Sequence, residues 1–245
     1  MSKIIKRNFL VSSAVALACI AGTTQAATWD VSVLNLTHGN HFTPLLLTAH
    51  DHDTHLFEVG SAASLPIEHM AECGHLDPLL ATTEVGVADA DTIANPAGGV
   101  LAPGTSVNTS LTTTETHLSI VAMVLPTNDA FVGLDSLHVP TDAGTYTYYL
   151  NAYDAGTEGN DEVLSTTGTC SYTDTGTMPG APGGDADSNA TGIVTPGNDD
   201  NNTNIHIHRG VLGNATSTGD GTSDLVSTIH RWQNPVAKIV ITVTP

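Results

Sequence analysis

Residues 117–125 read HLSIVAMVL, a run in which only the leading His117 and Ser119 are polar. Pro126-Thr127-Asn128-Asp129 follows at once. A short apolar run closed by turn residues predicts a buried, central strand. Other strand signals lie on both sides of it. Trp29, Val31 and Val33 alternate with Asp30, Ser32 and Leu34, and 44–49 is nearly all apolar. Residues 105–113 alternate weakly and are rich in Thr, whose branched Cβ favours strands. Tyr146, Tyr148 and Leu150 repeat at period two within 144–153, with Tyr149 on the other face. Ile205 and Ile207 with Val211 predict one more strand, and 235–243 the last. Seven or eight short strands, punctuated by Gly, Pro, Asn and Asp, predict an all-β antiparallel β-sandwich.

One short helix interrupts this pattern. Ser64 can cap it, Glu68 falls in the first turn, and Ile67, Met70 and Ala71 form one apolar stripe. Gly74 is placed to end it. Two stretches read as loops: 87–103, and the long acidic 173–204 with Asp185, Asp187, Asp199 and Asp200.

The start of the chain has a different character. Lys3, Lys6 and Arg7 precede an apolar stretch that ends at Thr24-Gln25-Ala26. This pattern predicts a secretory signal peptide over 1–26, followed by one domain over 27–245, in a periplasmic, secreted or cell-surface setting. Of the six Lys and Arg, only Arg209, Arg231 and Lys238 would remain, against 25 acids, for a formal charge of −22. Such a surface repels nucleic acid and anionic lipid and attracts cations. No apolar run in 27–245 is long enough to cross a bilayer. The two cysteines beyond Ala26, Cys73 and Cys170, predict a single disulfide in an exported protein.

The densest acid and amide clusters are 125–135 and 153–162, each placed after an apolar strand. If those strands end on the same side of a sandwich, Asp129, Asp154 and Glu158 converge there. Several carboxylates in a Gly-tolerant loop suit a hard cation such as calcium. They equally suit a solvated acidic turn, and the spacing does not match the helix-loop-helix calcium pattern.

These segments carry a resemblance. Leu56-Phe57-Glu58-Val59-Gly60-Ser61-Ala62-Ala63-Ser64 and Met70-Ala71-Glu72 with Gly74 are similar to segments of the spondin N-terminal domain family. So are Met123 with 126–135, and Tyr153-Asp154-Ala155-Gly156-Thr157-Glu158. The closing 205–210 and 234–239 look like its bacterial branch. The resemblance implies a β-sandwich core like that of C2 domains and an extracellular adhesion or recognition role. It also implies one calcium held by three acidic side chains in loops at one end. Carried over segment by segment, those ligands fall on Asp129, Asp154 and Glu158, with Glu158 standing where animal members have Asp. The scarcity of Lys and Arg departs from the animal pattern, so the expected partner is an unspecified surface protein or a polysaccharide.

The twelve histidines permit a second reading. His50, His52 and His55 cluster in one segment, and His206 and His208 sit at period two; two imidazoles on one strand face can share copper or zinc. His38, His41, His69, His75 and His117 are scattered. A third reading is a self-associating surface or fibre subunit that pairs through a strand edge. Enzymatic signals are absent: there is no Gly-x-Ser-x-Gly elbow and no His-Glu-x-x-His. The expected protein is therefore non-catalytic.

Overall fold

A computed structural model describes residues 25–82, 91–163, 202–215 and 223–245. The expected signal segment up to residue 24, Cys170, and 173–201 of the acidic loop lie outside the described residues.

Among the described residues there are ten strands, and every strand pairing is antiparallel. They are β1 (Ala27–Asn35), β2 (His41–Phe42), β3 (Leu46–His50), β4 (Thr92–Ala94) and β5 (Ser106–Thr113). Then come β6 (His117–Leu125), β7 (Ala130–His138), β8 (Gly144–Asp154), β9 (His206–Ile207) and β10 (Ala237–Thr244). The hydrogen-bonded order is β4-β3-β6-β7-β8-β10-β1-β5, with β2 on β6 and β9 on β8. One path of eight strands, with β2 and β9 attached at its side, folds over on itself and gives the expected all-β, sandwich-like architecture.

The fold-over happens in β8. Its first part, up to Leu150, pairs with β10, and its last part, Asn151 to Asp154, pairs with β7. The main core fills the space between the halves. Trp29, Val31 and Val33 of β1 and Ile239, Ile241 and Val243 of β10 meet Leu47, Ile120, Ala122, Val124 and Val132 there. These are the inward positions of alternating strands.

β6 is apolar throughout because both its faces are covered. Ile120, Ala122 and Val124 point into the main core, whereas Val121 joins a second cluster with Leu46 and Phe131. Helix α1 (Leu65–Cys73) closes that second cluster with Ile67, Met70 and Ala71. Its ends follow the expectation: the Ser64 hydroxyl accepts from the Ile67 N–H at 3.4 Å, and Gly74 caps the C-terminus at φ 68°. Only glycine fits Gly74 easily, because a Cβ there would stand 2.5 Å from Thr43.

Four details correct the sequence reading. The 130–135 stretch, read from sequence only as part of an acid and amide cluster, is the start of β7, which forms an extensive hairpin with β6. Gly133 and Asp135 look like punctuation, yet Gly133 is required by packing, since a Cβ would meet the Phe57 ring at 2.7 Å. A short strand, β4, lies inside the expected 87–103 loop and edges the sheet beside β3. The 205–211 strand contracts to the two residues of β9. Two one-turn helices, α2 (Asp77–Leu80) and α3 (Ser227–His230), join the single helix expected.

The second cluster has an aromatic centre. Phe131 is fully buried, edge-on to Phe57 at 5.0 Å and tilted against Tyr153 at 5.6 Å. Replacing Phe131 with Ala should cost about 3–5 kcal/mol in chemical denaturation. A loss below about 1 kcal/mol would show that α1 does not depend on this ring.

Candidate functional site

The site lies where β6, β7 and β8 reach one end of the sandwich. Asp129 stands in the turn between β6 and β7, and Asp154 is the last residue of β8. Ala130 pairs with Asp154 across the β7–β8 ladder, so register alone puts the two acids together. Glu158 follows in the next loop. Its N–H and that of Thr157 donate to Asp129 Oδ2 at 3.1 and 2.9 Å. Register and these backbone bonds place all three acids named from the sequence at one end of the sandwich, and among the described residues no three of them stand in metal-ligand geometry. All three are buried, Asp129 completely.

A fourth carboxyl joins them. Glu72, from the last turn of α1, is 2% exposed and acts electrostatically on Asp129. Burial pushes Asp129 up to about 8, and Asp154 and Glu72 add to the rise by repulsion. Burial likewise raises Glu72 to about 7; the Thr157 hydroxyl partly offsets this, and Glu68 adds to it. Asp129 Oδ1 is buried and accepts no hydrogen bond. An acceptor left bare in a group of carboxyls is costly unless a proton or a cation meets it.

Asp154 is held by a relay. Its Oδ1 accepts from the Gly156 N–H at 2.9 Å, and its Oδ2 from Asn160 Nδ2 at 2.7 Å. Asn160 Oδ1 lies 2.8 Å from His208 Nε2, and His208 Nδ1 accepts from the Gly210 N–H at 2.9 Å. That second bond leaves the proton on Nε2, so His208 donates to Asn160 as a neutral ring. Burial holds His208 down to about 4 despite nearby Asp154. Trp232 lies against its ring at 5.2 Å. The positive φ at Gly156, 71°, lets the loop pass so close to Thr203 that a Cβ would meet backbone at 2.6 Å.

Next to this, Glu162 plays a structural part. Its carboxylate accepts from the N–H groups of Leu212 and Gly213 at 2.6 and 2.8 Å and from the Ser223 hydroxyl at 2.7 Å. It ties 211–213 and Ser223 to the site loop. Arg209 donates through Nη2 to the Asn160 carbonyl at 2.9 Å.

The histidines proposed for copper or zinc do not converge. His50 and His52 lie near the start of β6, whereas His206 and His208 lie past its far end, beside Asp154. Nine residues of strand separate the two groups by about 26 Å. His50 is held at both nitrogens, by the Asp51 carbonyl at 2.7 Å and the Ser119 hydroxyl at 2.8 Å. His55 pairs with Asp135 at 2.5 Å and His52 with Asp53 at 3.0 Å. Among the described residues, no three His, Cys, Asp or Glu side chains stand preassembled in metal-ligand geometry.

Sequence reading missed Glu72, Asn160 and Glu162 as members of the site. Glu72 falls in a segment that carried the resemblance, which was the available signal.

The family model Spondin_N matches residues 34–176, more than half of the chain. The chain belongs to the spondin N-terminal domain family. None of the curated proteins compared with it matches. The Spondin_N match contains Glu72, Asp129, Asp154 and Glu158 but stops short of His208 and β10. The spondin match and the fold therefore differ in extent, because β10 is the strand that joins β1 to β8.

The buried carboxyls give this spondin domain a pH signature. Without a cation, Asp129 and Glu72 keep protons in the fold that the unfolded chain has already lost above pH 4 to 5. Their stabilising protons are lost as pH rises through about 7 and 8. In chelator, the melting temperature should therefore fall between pH 6.5 and 8.5. Below pH 6.5 His208 acts the other way, since only the unfolded imidazole takes up a proton there. Thermal melts of the wild type and Asp129→Asn across that range would check this; a wild-type curve no steeper than the variant's would refute it.

Proposed function

We propose that this spondin domain is an exported, non-catalytic calcium-binding recognition module. The observation that carries the reading is Asp129 Oδ1, buried without a hydrogen-bond donor beside three further buried carboxyls. The donor set is made of oxygen, as calcium prefers. Asp129, Asp154 and Glu158 would hold the ion, with Glu72 adding charge from α1. Bound calcium would supply positive charge that lets Asp129 and Glu72 ionise beside the other acids. Thr157, Asn160 and His208 orient the acids.

The site joins the β6–β7 turn to the loop after β8, so occupancy would fix the end of the sandwich where the two meet. That end is the proposed contact surface. The partner class is a surface protein or polysaccharide, met outside the cytoplasm. A formal charge of −19 for the chain, and −22 over 27–245 alone, argues against nucleic acid and against acidic glycans. Among the described residues no helix is long and apolar enough to cross a membrane.

Calcium titration of the purified domain, followed by calorimetry and thermal melting, tests this reading. The expected result is one calcium per chain. At a hundredfold excess over the dissociation constant, stability should rise by about 2.7 kcal/mol. The gain should be larger at pH 8 than at pH 6, because binding displaces protons from Asp129 and Glu72. Asp154→Asn should abolish it. Asp129→Asn should lose calcium yet melt higher than the wild type in chelator at pH 8. Unchanged calcium affinity in both variants would refute the assignment.

A further inference from the structure

The opposite end of β6 carries a feature that the calcium reading does not use. Strand register sets His50, His117 and His138 in one row across β3, β6 and β7. Paired residues of adjacent strands point to the same face. His117 is the centre of a cluster: His138 lies 5.2 Å from it by ring centroid, His52 6.3 Å and His50 6.5 Å.

We propose that His117 and His138 anchor a zinc site, with His52 as its third ligand. The geometry supplies the argument. A zinc–nitrogen bond of about 2.0–2.1 Å, plus about 1.2 Å from nitrogen to ring centre, places each centroid about 3.2 Å from the ion. Two imidazoles at the tetrahedral angle then have centroids about 5.2 Å apart, against about 4.5 Å for adjacent ligands in a square plane. The observed 5.2 Å between His117 and His138 equals the tetrahedral separation, and with planes at 76° the pair as it stands is an edge-to-face ring contact.

His50 is excluded as a ligand because both its nitrogens are engaged. His117 Nδ1 lies 2.9 Å from the Thr116 hydroxyl, so Nε2 would be its ligating nitrogen. His52 is about 1 Å beyond the tetrahedral separation. Its contact with Asp53 is a surface pair, 72% and 82% exposed, of the kind that exchanges at little cost. No three ligands stand preassembled, so zinc must draw His52 in, with water as the fourth ligand. Asp51 and Asp53 beside His52 add to the attraction for a cation.

The test is a zinc chloride titration of the full domain in saturating calcium, so that the carboxyl end is filled throughout. Calorimetry and the visible absorption of substituted cobalt report binding and coordination number. The expected result is one zinc per chain and a four-coordinate cobalt spectrum. His138→Gln and His117→Gln should each weaken zinc roughly ten-fold or more, and His52→Gln by less. His206→Gln should change nothing. His138 is exposed, so His138→Gln decides the matter even if His117→Gln fails to fold; its melting temperature in calcium should equal the wild type's. Zinc affinity that survives His138→Gln, that disappears with His206→Gln, or that is absent at millimolar zinc would overturn the proposal.

Discussion

Burial of like charge is the constraint around which this molecule is arranged. Asp129, Asp154, Glu158 and Glu72 are each at most 5% exposed, in a protein that could have left its acids in water. Desolvation alone makes such a group costly, and repulsion adds to it. The fold accommodates the group by fixing its geometry from several directions. The N–H groups of Thr157 and Glu158 hold one oxygen of Asp129, and Gly156 and Asn160 hold both oxygens of Asp154. One acceptor of Asp129 is left without a donor.

That geometry is inherited from the sheet. β6 and β7 form a hairpin whose turn carries Asp129, and β8 ends opposite it at Asp154. The doubly covered β6 makes the hairpin rigid: α1 packs on one face and the main core on the other. The same packing delivers Glu72, because the helix that presents Ile67, Met70 and Ala71 to β6 ends beside Asp129. Core and site are thus positioned by the same contacts. The imidazole row at the start of β6 arises from the same ladders, read from their other end.

Much of this was legible in the sequence, for identifiable reasons. β6 announced itself by length and punctuation, since nine residues closed by Pro126 are short for a buried helix and enough for a strand covered on both faces. The α1 caps were legible because Ser64 and Gly74 act locally. β7 was not legible, since Gly133 and Asp135 resemble turn residues when the facing Phe57 ring and the N–H of Leu56 cannot be seen. Missing β7 also hid the pairing of His117 with His138, which exists only as register. Asp129, Asp154 and Glu158 could be named through family resemblance. Glu72 lies in a resembling segment, yet an acid one position past an apolar stripe reads as solvated surface until a loop from elsewhere covers it.

The central position of β10 has a consequence for assembly in time. β10 lies between β1 and β8, and its register joins residue 28 to residue 244. The first strand made therefore waits for the last before it gains its inner neighbour. Until then the inner faces of β1 and β8 have an unfilled slot between them, and the two halves have no shared backbone ladder at that point. Closure of so long a loop comes late and slowly compared with a local hairpin such as β6–β7. Until Ala237–Thr244 is in place, the slot is a template for any free strand of matching pattern.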